Sequence, residues 1–202
     1  MKKMILLFAG LLLAVSYTEA KDPYKAGNYA IDFSLKNVKG DMVSLANISD
    51  AKGFIVVFGC NTCPVVKKYD QRIIDLNEEF SAKGYPVVMI NSNDKTVSPG
   101  DSYEEMKKVA ANKGYRFEYL YDESQDVARE YGATNTPHVY VLSKDGNNLK
   151  VEYVGAIDNN ADDASMADKH YVEDAVNALL KGSQVPVAGT KAIGCSIKWN
   201  RG

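Results

Sequence analysis

A continuous apolar run, Phe54-Ile-Val-Val-Phe58, stops at Gly59 and is followed at once by Cys60-Asn61-Thr62-Cys63 and Pro64. A short run of β-branched and aromatic residues is the pattern of a strand buried on both faces. From Val65 to Phe80 the apolar positions Val66, Tyr69, Ile73, Leu76 and Phe80 recur every three or four residues, which predicts a helix, and Pro64 suits its first turn. Two cysteines separated by two residues therefore sit where a buried strand hands over to a helix.

The rest of the chain repeats that rhythm. Pro86-Val-Val-Met-Ile90 predicts a second buried strand, and Ser102-Tyr-Glu-Glu105 has the spacing of a capping box opening a helix to about Lys113. A strand near Phe117 to Leu120 and a helix near Ser124 to Tyr131 lead to the strand Pro137 to Leu142. Lys144-Asp-Gly-Asn147 then turns the chain into Lys150 to Val154. Upstream, the alternating segments Asp32 to Lys36 and Asp41 to Leu45 predict a hairpin at an edge, and Tyr171 to Leu180 is the last helix. The fold class is α/β with a central mixed sheet flanked by helices and an N-terminal β-hairpin extension.

Lys2 and Lys3, an apolar run from Met4 to Val15, and the more polar Ser16 to Ala20 have the three-part layout of a secretory signal peptide, with cleavage after Ala20. The expected organisation is a signal peptide over 1–20, one domain over 21–181, and a C-terminal tail over 182–202 packed on that domain. Export outside the cytoplasm follows, with no membrane span in the mature chain. Lys and Arg number 24 against 26 Asp and Glu, a balance that does not suggest a nucleic-acid surface.

Only three cysteines occur, Cys60, Cys63 and Cys195, which rules out a dense disulfide scaffold and leaves one close pair and one distant thiol. A zinc site needs two ligands beyond the pair, yet the only histidines are His138 and His170. Redox chemistry is the favoured role. A helix N-terminus offers unpaired N–H groups and the positive end of its dipole, which favours a thiolate on Cys60 and leaves Cys63 as the resolving thiol. Lowering a thiol pKa by about two units stabilises the reduced form by about 2.7 kcal/mol, so helix placement sets the redox poise more than the attack rate.

Three segments carry a resemblance to a known family: Phe54 to Pro64, then Tyr121-Asp-Glu-Ser-Gln-Asp-Val-Ala-Arg-Glu-Tyr-Gly-Ala133, then Thr136-Pro137-His138-Val-Tyr-Val-Leu142-Ser-Lys-Asp-Gly146. Together they resemble the redoxin branch of thioredoxin-like proteins, the alkyl hydroperoxide reductase and thiol-specific antioxidant (AhpC/TSA) group. The resemblance extends to the ending Thr190-Lys-Ala-Ile-Gly-Cys195-Ser-Ile-Lys-Trp199. It implies a thioredoxin-like fold, a cis-proline at Pro137 against the disulfide, and a Thr136 backbone presented to an extended substrate segment.

The chain also departs from the group. Gly59 stands where thioredoxins place Trp, and no acidic residue lies in the preceding strand, so a proton acceptor for Cys63 is not identified. Peroxidases of the group carry Pro-x-x-x-Thr-x-x-Cys, whereas the matching positions here are Gly53 and Val57 before Cys60, or Val56 and Cys60 before Cys63.

The sequence therefore points to an exported thiol-disulfide oxidoreductase that exchanges disulfides with protein partners through Cys60 and Cys63. It needs no dissociable cofactor beyond its redox-active disulfide and no metal, and it implies an upstream redox partner. The alternatives are a copper carrier using the same cysteines with His138, or a peroxidase-related antioxidant protein. His138 is read first as a strand side chain facing away from the cysteines, and Cys195 first as an unpaired thiol in a tail anchored by Trp199. A third exchange role for Cys195 is the competing reading.

Overall fold

A computed structural model describes residues 22–201, so the expected signal peptide over 1–20 lies outside the described residues. The elements in chain order are β1 (Tyr29–Ala30), β2 (Ser34–Asn37), β3 (Met42–Ser44), β4 (Gly53–Phe58), α1 (Pro64–Phe80), β5 (Val87–Asn91) and α2 (Tyr103–Lys113). There follow β6 (Glu118–Tyr121), α3 (Asp126–Tyr131), β7 (Asn135–Thr136), β8 (His138–Asp145), β9 (Asn148–Gly155), α4 (Tyr171–Leu180) and β10 (Cys195–Ser196). Eight strands form one sheet in the order β1-β9-β8-β4-β5-β6-β2-β3, and β10 pairs with β7 separately. β4 runs parallel to β5 and antiparallel to β8, so the sheet is mixed.

The apolar run of β4 is buried along its whole length, as a strand covered on both sides must be. Its residues alternate between two cores. Ile55 and Val57 join a cluster with α1, α2 and α4, which also holds Cys60 and Cys63. Phe54, Val56 and Phe58 join a second cluster with α3, Tyr24, Phe33, Leu45 and Ile197. The α1 positions Val66, Tyr69, Ile73, Leu76 and Phe80 are all buried, which is what their spacing requires.

Some local readings need correction. Ser102 stands at the start of α2, but its side chain makes no capping hydrogen bond; its carbonyl accepts from Met106 N at 2.9 Å. The strand expected from Pro137 to Leu142 begins one residue later and continues to Asp145, where Gly146 takes φ +61° in the turn to β9. Neither β1 nor the β7–β10 pair was foreseen. Each strand is two residues long, too short to show alternation.

In the tail, Ile197 is the buried anchor at 3% exposure, while the expected anchor Trp199 is only partly buried and lies under the Arg129 guanidinium at 4.6 Å. No helix among the described residues is long and apolar enough to cross a membrane.

Candidate active site

β4 delivers the chain to the site. In register, Phe58 at its end lies opposite His138 at the start of β8, so Gly59-Cys60 and Thr136-Pro137 emerge side by side at one end of the sheet. A Cβ on Gly59 would lie 2.5 Å from the Met89 methyl, the flexible end of a β5 side chain, so a larger residue here would push that methyl aside. The Thr136–Pro137 peptide bond is cis. Cys63 is the residue that caps α1, and its carbonyl accepts from Lys67 N at 3.1 Å.

Between the cysteines, Asn61 and Thr62 are held by Asp101, a fully buried carboxylate just before α2. One Asp101 oxygen accepts from Asn61 N at 2.7 Å and Thr62 N at 3.0 Å. The other accepts from Thr62 Oγ1 at 2.7 Å, Ser98 Oγ at 2.6 Å and Asn93 Nδ2 at 2.8 Å. Tyr119 donates to Asn61 Oδ1 at 2.9 Å, and Asn61 Nδ2 donates to the Gly100 carbonyl at 2.9 Å. A buried charge is tolerated when its lone pairs are this fully used. Asp101 was missed from the sequence because Ser98-Pro-Gly-Asp101 looks like an ordinary solvated turn.

The three sulfurs converge. Cys60 and Cys63 are each 2% exposed. Cys60 Sγ lies 3.5 Å from Thr136 Oγ1, Cys63 Sγ lies 3.1 Å from the Thr136 carbonyl oxygen, and Cys195 Sγ lies 2.7 Å from Cys63 Sγ. All three are free thiols. β10 brings Cys195 in by pairing antiparallel with β7, with Cys195 opposite Thr136. The Thr136 strand edge that the resemblance offers to a substrate is thus paired with the protein's own tail, and Cys195, an unpaired thiol, lies against Cys63.

The helix N-terminus acts on both sulfurs: the Cys63 N–H donates to Cys60 Sγ and the Val66 N–H to Cys63 Sγ. The two thiols also hydrogen-bond each other, which lowers one pKa of the pair and raises the other. Burial and the nearby Asp101 charge act to raise Cys60, and Thr136 acts to lower it. The Thr136 carbonyl is the acceptor within reach of the Cys63 proton when the cluster is fully protonated.

His138 stands apart. Strand alternation turns it to the face of Tyr140, whose ring lies 4.9 Å from its own, while its neighbour Val139 faces the cysteine cluster. It therefore does not join the sulfurs as a ligand. Burial lowers its pKa to about 4, and its Nδ1 has no hydrogen-bond partner. His170, which caps α4, is exposed.

The AhpC/TSA family model matches residues 26–151, which span the strand, the cysteine pair and the cis-proline. The chain belongs to the AhpC/TSA family. It has the thioredoxin-like fold of that family's oxidoreductases. A solved conserved protein from Geobacillus kaustophilus is 39% identical with a TM-score of 0.81, over 88% of this chain and 93% of that one. The thiol-disulfide oxidoreductase ResA of Halalkalibacterium halodurans is 21% identical over 131 residues, which is 65% of this chain and 70% of that protein. The thioredoxin domain of a thiol-disulfide oxidoreductase from Bacteroides vulgatus shares the fold at a TM-score of 0.53 and 19% identity, covering 65% of this chain and 91% of that one.

Proposed function

We propose that this protein is an exported thiol-disulfide oxidoreductase that exchanges disulfides with protein partners through Cys60 and Cys63. The observation that carries the reading is the pair itself: two thiols at the end of a buried strand and the start of a helix, both against Thr136 of the cis-proline turn. The Cys60 thiolate attacks one sulfur of a partner disulfide, and the partner's other sulfur leaves as a thiolate. Cys63 then attacks Cys60 Sγ, breaking the mixed disulfide and closing the Cys60–Cys63 bridge. The partner leaves carrying two electrons, and an upstream dithiol restores the pair.

No dissociable cofactor enters these steps. The apolar leader sequence before Lys21 supports export, and the names of the ResA relatives support the substrate class.

The test is reduction of a disulfide-bonded protein such as insulin by the reduced full chain, beside Cys60→Ala and Cys63→Ala. Cys60→Ala is expected to lose exchange, and Cys63→Ala to accumulate mixed disulfides with the partner through Cys60. The ultraviolet absorbance of the reduced wild type should show one thiolate of the pair that persists below the ordinary thiol range. A wild type no faster than a free dithiol would overturn the function. Exchange retained in Cys60→Ala but lost in Cys63→Ala would reverse the order of attack.

A further inference from the structure

The tail is built to hold a sulfur at this site, not only to cover it. A Cβ on Gly194 would lie 2.0 Å from the Thr136 carbonyl oxygen, so only glycine lets the tail approach β7 this closely. The Gly194 carbonyl accepts from Asn135 Nδ2 at 3.1 Å, and Ile197 N donates to the Thr134 carbonyl at 3.0 Å. Ile197 fills the core on the far side of the sheet. Lys198 N donates to Asn93 Oδ1 at 2.8 Å, and the Lys198 carbonyl accepts from Asp94 N at 2.8 Å and Gln125 Nε2 at 2.9 Å. Between these fastenings Cys195 is fixed with its sulfur 2.7 Å from that of Cys63. Cys195 is also the more exposed residue, where Cys60 and Cys63 are each 2% exposed.

A buried pair beneath a fastened tail needs a route for exchange with solvent. We propose that Cys195 is a third redox thiol that closes a disulfide with Cys63 and so connects the buried pair to thiols and disulfides outside. This rests on the reading of Cys60 and Cys63 as an exchanging pair.

Starting from the Cys60–Cys63 bridge, the Cys195 thiolate attacks Cys63 Sγ. The Cys60–Cys63 bond breaks, the Cys63–Cys195 bond forms, and Cys60 leaves as a thiolate that takes up the proton Cys195 gave away. No electrons are gained or lost in this step. An external thiolate then attacks Cys195 Sγ, with Cys63 as the leaving thiolate, and a second external thiol releases Cys195 while the external disulfide departs. Two electrons have then entered the protein.

The test uses the full chain with diamide as the oxidant and no protein partner. Reduced wild type and Cys60→Ser are each treated with one equivalent, free thiols are alkylated, and the bridges are mapped by peptide mass. An intramolecular Cys63–Cys195 bridge is expected as nearly the sole product in Cys60→Ser and as a fraction alongside Cys60–Cys63 in wild type. Its absence from both proteins, with Cys195 alkylated throughout, would overturn the proposal, and the wild-type result decides if the variant does not fold. Because diamide bypasses any partner, failure of insulin reduction alone would count against the exchange function and leave this result standing.

Discussion

The two faces of the central sheet are packed from the same strands and both bury tyrosines, yet only one carries the sulfurs. On one face lie Cys60 and Cys63, whose protons and bonds can be exchanged among neighbours. On the other, Phe58, Tyr131 and Tyr140 form an aromatic cluster with ring centroids 5.4–5.7 Å apart. Each hydroxyl there has a fixed acceptor: Tyr131 donates to the Ile31 carbonyl and Tyr140 to the Tyr131 carbonyl, both at 2.9 Å. Only the first face holds bonds that can be exchanged. Because neighbours along a strand point to opposite sides, a shift of one residue separates His138 from the chemistry that its sequence position suggests.

The largest effect should come from the aromatic face. Phe58→Ala would remove a fully buried ring from contact with two tyrosines and is expected to cost about 4 kcal/mol. Denaturant unfolding measures this. The thiolate titration of the reduced variant should match wild type, since Phe58 packs away from the sulfurs. A shifted titration would show that the faces are coupled, and the comparison would fail.

His138 sharpens the contrast next. Its folded pKa is lowered to about 4 by burial, against 6.5 for a free imidazole, so the fold favours the neutral ring. The stability this represents is fully present above pH 6.5 and is lost as pH falls toward about 4. It amounts to about 3 kcal/mol. In His138→Phe that part of the pH dependence should vanish, leaving unfolding midpoints that differ from wild type mainly at acid pH. An equal slope in both proteins would mean that the imidazole is not held neutral by burial.

The same comparison explains what the sequence makes legible. Long periodic segments are written locally: β4, α1 and α4 follow from the spacing of Val57, Tyr69, Ile73 and Val176 and fall within a residue or so of their expected bounds. The cysteine pair and the cis-proline turn are visible because each is a short motif. The third sulfur is not, because its placement depends on contacts 132 residues apart, Cys63 with Cys195, and on a strand of two residues. Asp101 is hidden for a similar reason: its five donors come from Asn61, Thr62, Ser98 and Asn93, and only Ser98 is a near neighbour in sequence. α1 starts at Pro64, the proline that the sequence marks for the first turn, so Cys63 is its cap.

The smallest expected loss of stability tests whether Asp101 belongs to the chemistry of the sulfur face or only to its scaffold. Asp101→Asn keeps the shape but replaces one acceptor oxygen with an NH₂ that faces donors, either the Asn61 and Thr62 amides or the group from Thr62, Ser98 and Asn93. Losing charge-assisted bonds in a buried site costs about 2 kcal/mol, below the two effects above. The charge also acts at a distance: Asp101 is among the causes that raise Cys60, after the Cys63 hydrogen bond and burial. Removing it should therefore lower the Cys60 pKa, measured as a second thiolate appearing at lower pH in the ultraviolet titration of Cys63→Ala, with and without Asp101→Asn. A weaker fold with an unmoved Cys60 titration would reduce Asp101 to a support for the loop. A moved titration would make it a residue that sets the Cys60 pKa.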